Sequence, residues 1–123
     1  MLVIRDAQMQ AFREALVRRF ENDAVQHLER VLPDRCREMG AGAVRKSVQL
    51  AIRQAQVYGL DREYDVLRYL HCMYVLGFGF DQDLRYPWAK ELLTKPGLRS
   101  ERKMDLVTDR ATDAELLRAN AGA

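Results

Sequence analysis

Apolar positions recur along most of this chain at spacings of three and four, the period of a helix face. Met9, Phe12, Leu16, Phe20, Leu28 and Leu32, with Ala24 and Val31 between them, trace one stripe, and charged residues fill the other side. This predicts an amphipathic helix over about residues 6–32, with Asp6 as its N-cap and Asn22-Asp23 as a place for a bend. Met1 to Ile4 read as a short extended lead-in. Pro33 ends the helix, because the residue before a proline is pushed out of helical geometry. Asp34 opens a short helical turn through Met39, which Gly40-Ala41-Gly42 stops. A further helix is predicted over about 43–58, with Val44, Val48, Ala51, Ile52, Ala55 and Tyr58 on its buried stripe and Gly59 at its end.

Asp61 is the expected N-cap of the next helix, with Glu63 and Asp65 well placed against its positive end. Two apolar rows follow: Tyr64, Leu67, Leu70 or His71, and Tyr74; then Val66, Tyr69, Met73 and Leu76. A helix apolar over so much of its circumference belongs at the centre of its neighbours. Gly77 closes it. Phe78 to Tyr86 forms a connection whose glycine, two aspartates and two phenylalanines imply a packed loop. Pro87 suits the first position of another helix, which turns Trp88, Leu92 and Leu93 inward and stops at Pro96-Gly97. Ser100 caps the last helix, with Glu101 in its first turn and a thin stripe of Met104, Val107, Ala111, Ala114 or Glu115, and Leu117. No strand-like alternation outlasts the first four residues. The reading is an all-α fold: a compact single-domain bundle of five to six helices over residues 1–119, with 120–123 a frayed tail.

Composition changes this picture little. A chain of 123 residues with 48% apolar and 31% charged residues can build one hydrophobic core without crosslinks or metals. Its 20 basic and 18 acidic residues are interleaved, giving a net charge of +2. Nucleic-acid binders gather their cations on one face. Here the densest cluster, Arg13, Arg18 and Arg19, is interrupted by Glu14 and Glu21, so no nucleic-acid partner is expected. No apolar run approaches the roughly 18 residues of a membrane span. Cys36 and Cys72 lie far apart without a Cys-x-x-Cys pairing, and the N-terminus shows no secretory signal. Reduced thiols in a cytoplasmic compartment are therefore expected.

Candidate chemistry is sparse. Asp81-Gln82-Asp83 invites a cation, but the calcium-loop pattern needs a bidentate Glu twelve residues from the first ligand, and position 92 is Leu92. Aspartates in such loops more often accept nearby backbone amides. His27 and His71 each lack a second His or Cys at i+3 or i+4, and His71-Cys72 point about 100° apart on a helix. Ser47 and Ser100 sit in no nucleophile elbow, and Gly77-Phe78-Gly79 follows a helix, the wrong context for a phosphate loop. No cofactor, metal or enzymatic activity is expected. A metal-dependent or thiol enzyme using Asp81, Asp83, Cys36 or His71 stands as the rival of a different class.

Residues 58–88 hold eight of the ten aromatic residues, including every Tyr and the only Trp. Such a cluster is usually core. If Tyr69, Phe78, Phe80 and Tyr86, with Asp81 and Asp83 beside them, were exposed together, they would form a partner-binding surface.

The segments Val-Ile-Arg-Asp-Ala-Gln-Met, Phe-Glu-Asn, His-Leu-Glu-Arg-Val-Leu-Pro, Ala-Gln-Val-Tyr-Gly-Leu-Asp-Arg-Glu-Tyr-Asp-Val and Met-Tyr-Val-Leu-Gly-Phe-Gly-Phe-Asp-Gln-Asp, then Pro-Trp-Ala, carry a resemblance spanning about Val3 to Met104. Together they resemble small helical bacterial proteins encoded beside the PAAR spike-tip and toxin genes of type VI secretion systems. The resemblance brings no catalytic residues with it. It implies an accessory, adaptor or chaperone-like protein that binds a secreted effector or spike component, or else an immunity protein that neutralises a neighbouring toxin. The implied setting is the bacterial cytoplasm, with co-export alongside the partner open.

Overall fold

The computed structural model describes residues 6–121, with side chains over 9–118. Met1 to Ile4, the last two residues of the expected tail and the Asp6 side chain lie outside the described set. The protein is all-α: six α-helices and one 3-10 turn, with no strand among the described residues. They are α1 (Asp6–Val31), α2 (Pro33–Met39), α3 (Ala41–Val57), α4 (Glu63–Leu76), a 3-10 turn (Phe80–Gln82), α5 (Pro87–Leu93) and α6 (Ser100–Ala121). The helix of α6 continues through Ala121, two residues into the tail expected to fray. Packing divides the chain into two units, residues 1–49 and 50–123, and the division falls within α3.

In the first unit, α1 runs unbroken through Asn22-Asp23 and stops at Val31. Leu32 takes φ −132° and ψ 58°, the non-helical geometry that a following proline enforces. Pro33 then starts α2 instead of merely ending α1, because its missing amide costs nothing at a first helical position. Gly40, at φ +86°, closes α2 and gives its amide to the Cys36 carbonyl. α3 starts at once, so Gly42 lies within its first turn. Ala24, Val25 and Leu28 of α1, Cys36 of α2 and Val44, Ser47 and Val48 of α3 are buried. Glu21 of α1 accepts from Arg45 (2.6 Å) and Gln49 (3.2 Å) of α3.

Only the second half of α1 is buried as its stripe predicted. Met9, Phe12, Leu16 and Val17 are exposed, Phe20 is partly covered, and Val31 and Leu32 are exposed. The period correctly gave the helix. It did not show which turns have a neighbour.

In the second unit, α4 and α5 both pack on α6, and the 3-10 turn lies against α4 and α5. α4 buries Asp65, Tyr69, Leu70, Cys72, Met73, Tyr74 and Leu76, the broad apolar circumference its sequence announced. Leu60, Phe80, Ala89, Leu93, Met104, Val107 and Ala111 are buried as well and complete the core of this unit. Removing one such side chain from water contributes about 1.5–3 kcal/mol. Gly77 ends α4 at φ +122°, and no Cβ-bearing residue adopts that backbone cheaply. α5 starts at Pro87 as expected but stops at Leu93, ahead of Pro96-Gly97, with Thr94 as C-cap.

Three side chains depart from their expected places. Tyr64 is 61% exposed instead of facing the core, and the Arg68 guanidinium lies 5.0 Å from its ring centre. Asp61 does not cap α4, which begins at Glu63 after Arg62. The backbone amide of Asp61 instead donates to the Ser100 hydroxyl at 3.3 Å. That hydroxyl in turn donates to Asp65 at 2.6 Å, so Ser100 is recruited by a buried carboxylate instead of capping α6. Ser100 is already the first residue of α6, one place inside the cap position, and its oxygen accepts the Asp61 amide while its proton goes to the carboxylate.

Candidate functional site

The aromatic cluster that sequence offered as a partner surface is mostly interior. Tyr69 and Phe80 are 0% exposed, Tyr86 and Asp81 are buried, and Phe78 and Asp83 are partly covered. Joint exposure, the condition for a partner face, is therefore not met. Tyr69 lies between Tyr58 and Phe80, with ring centres at 6.2 and 5.0 Å, and Tyr74 contacts Phe78 at 5.2 Å. The paired rings are tilted to one another by 38°, 48° and 58°, avoiding a face-to-face sandwich.

The two loop aspartates part company. Asp81 turns into the core and accepts the Tyr58 hydroxyl at 2.5 Å. Burial, then this bond and the carboxylate charge, push the Tyr58 phenol well above its ordinary value. Asp83 turns outward, accepting the Arg85 backbone amide at 2.9 Å and its guanidinium at 2.8 Å. These bonds hold the Asp83 carboxyl below the usual carboxylate range. Side chains engaged in different directions do not form one cation cage, and the described residues contain no group of three or more His, Cys, Asp or Glu that could hold a metal.

A second polar cluster was not anticipated. Asp65, fully buried at the start of α4, accepts from Ser100 (2.6 Å) and Arg68 (2.8 Å), with the Arg62 guanidinium 3.7 Å away. Burial alone would raise its pKa. The two hydrogen bonds and the two cations outweigh that and hold the carboxyl below its ordinary range. Arg68 also donates to Asp105 (2.8 Å) and to the Glu101 carbonyl (3.1 Å), linking α4 to α6. The i,i+3 spacing of Asp65 and Arg68 was visible in sequence, but nothing there marked the pair as buried.

Beside this network, Arg68, His71, Cys72, Val75, Thr108, Ala111, Thr112 and Glu115 line a cleft of about 110 Å³ along α4 and α6. The Cys72 thiol there is pushed up to about 12 by burial, so it stays protonated at neutral pH. Cys36 is also buried, and its pKa is raised by burial and then by Glu29.

Exposed large apolar side chains occur singly or in pairs at Val57, Leu84, Leu116 and Leu117, but on α1 they line up. Phe12 is 60% exposed, Leu16 46% and Met9 37%, and with Phe20 they repeat at intervals of three, four and four. At 100° per residue these four fall within roughly 80° of one another, a continuous stripe over three turns. Arg13 and Arg19 stand on its two flanks, roughly 55° and 65° from its midline, while Glu14 and Arg18 point to the far side. None of the ion pairs among the described residues involves Arg13, Arg18 or Arg19. Sequence reasoning gave this stripe as the apolar face of an amphipathic helix, because periodicity reports amphipathicity and not its partner.

No family model, curated protein or solved structure matches this chain. No helix among the described residues is long and apolar enough to cross a membrane.

Proposed function

We propose that this chain is a non-enzymatic protein-interaction module, an accessory or adaptor that docks a protein partner on the exposed stripe of α1. The observation that carries this reading is Phe12 at 60% and Leu16 at 46% exposure on one helix face. Large apolar side chains aligned along a helix gain about 25 cal/mol for each Å² that a partner removes from water. A helix in a groove, or one helix laid on another, uses anchors at this same spacing. The resemblance described above supports a type VI secretion effector or spike component as the partner and the bacterial cytoplasm as the setting.

Co-expression with the products of the adjacent genes, followed by affinity capture, tests the proposal. The wild-type chain retains a neighbour, and the double variant F12E/L16E, folded as judged by circular dichroism, loses it. A wild-type monomer that captures none of those proteins, or a double variant that captures them equally well, sinks the reading.

A further inference from the structure

Resting on the reading of α1 as a docking surface, we infer that its occupant is an amphipathic helix with acidic residues bordering its apolar stripe. The stripe from Met9 to Phe20 is about 16 Å long at 1.5 Å per residue, the reach of a three-turn partner helix. Its knobs at intervals of three and four match the grooves of another helix. The flanking charges select the partner's sign. Arg13 and Arg19 border the apolar row on opposite sides, while Glu14 lies on the far face, so both edges of the stripe are basic.

Two other occupants fit less well. A second copy of α1 would bring four arginines around one apolar seam, with only Asp23, one turn beyond Phe20 on that face, to answer them. Like charges brought together in that way oppose association. An anionic membrane attracts a helix whose polar face is rich in Lys and Arg. α1 as a whole carries five acidic residues (Asp6, Glu14, Glu21, Asp23, Glu29) and four basic ones (Arg13, Arg18, Arg19, Arg30). Of its four cations only Arg13 and Arg19 border the stripe, so its polar face is not the cation-rich face that such membranes attract.

The probe is a pair of fluorescein-labelled, stapled helical peptides of about 15 residues, long enough to cover the stripe. They share one leucine stripe and differ only in having Glu or Lys along both borders. Each is titrated against the full-length chain by fluorescence anisotropy. The Glu-bordered peptide should bind about tenfold tighter than the Lys-bordered one, and added salt should weaken it. R13E/R19E should reverse the preference, and F12E/L16E should abolish binding of both peptides. Equal affinity for the two peptides overturns the acidic partner while leaving the docking surface intact. Failure of both peptides to bind also overturns it, and the capture experiment then decides separately whether α1 docks anything. A dimer in analytical ultracentrifugation that F12E/L16E dissolves makes a second copy the occupant and overturns the inference. Flotation with phosphatidylserine vesicles that R13E/R19E abolishes assigns the surface to a membrane and overturns it equally.

Discussion

Replacing Asp65 by Asn tests whether the buried carboxylate of α4 joins that helix to α6. Asp65 is fully buried and receives Ser100 at 2.6 Å and Arg68 at 2.8 Å. Asn keeps the shape and one acceptor oxygen but removes the charge. Breaking a buried ion pair by removing one partner costs about 3–5 kcal/mol when the other charge is stranded. Arg68 is not fully stranded, because Asp105 on α6 still accepts from it at 2.8 Å. The expected loss for D65N is therefore at the lower end, about 2–3 kcal/mol. With a urea slope of about 1.5 kcal/mol per molar, the midpoint should fall by roughly 1.3–2 M at pH 7. The pH dependence supplies a second reading. The folded pKa of Asp65 is lowered, so its contribution is fully present above the unfolded value of about 3.9 and is lost as pH falls through the folded value. The gap between wild type and D65N should be constant near neutrality and narrow in acid. A D65N midpoint within about 0.3 M of wild type, or a gap that widens in acid, refutes the argument.

Three further outcomes follow from the geometry of the second unit. Tyr58→Phe removes the hydroxyl that Asp81 accepts at 2.5 Å and leaves a buried acceptor unmatched, so it should cost about 1–3 kcal/mol in urea titrations. Gly77→Ala meets no atom within 4 Å of the new Cβ but must adopt φ +122°, so it should cost on the order of 1–3 kcal/mol from backbone strain alone. Cys72, with its pKa near 12, should react with an aromatic disulfide reagent only when the chain unfolds. Rapid native labelling of a C36A variant would contradict that placement.

The helical class and most element ends were legible because they rest on local chemistry. Pro33, Gly40, Gly77 and Pro87 each act through their own backbone, and each marks a helix end in the structure. The central role of α4 was also legible, from an apolar circumference no other helix matches. The capping assignments of Asp61 and Ser100 were not. Both were correct in residue type, but the buried charge of Asp65 drew in Ser100, and Ser100 drew in the Asp61 amide. The candidate partner residues failed for a related reason: aromatic density in sequence does not distinguish a core from a surface. Tyr69 and Phe80 were placed by what surrounds them in space, and that information lies at sequence separations a local pattern does not reach.

The two aromatics outside residues 58–88 carry a consequence for function. Phe12 and Phe20 are the only Phe, Tyr or Trp residues of the first unit, and both lie on the α1 stripe. A ring held in a core is committed, since withdrawing Tyr69 or Phe80 for a partner would cost about as much as a Phe-to-Ala cavity, 3–5 kcal/mol. Phe12 pays no such penalty, because more than half of its surface already faces water. Binding energy is therefore available from the sparse aromatics of α1 and not from the dense cluster near α4. The cluster keeps the second unit folded, and on the proposed docking reading Arg13 and Arg19, in none of the ion pairs among the described residues, would leave the choice of partner to charge.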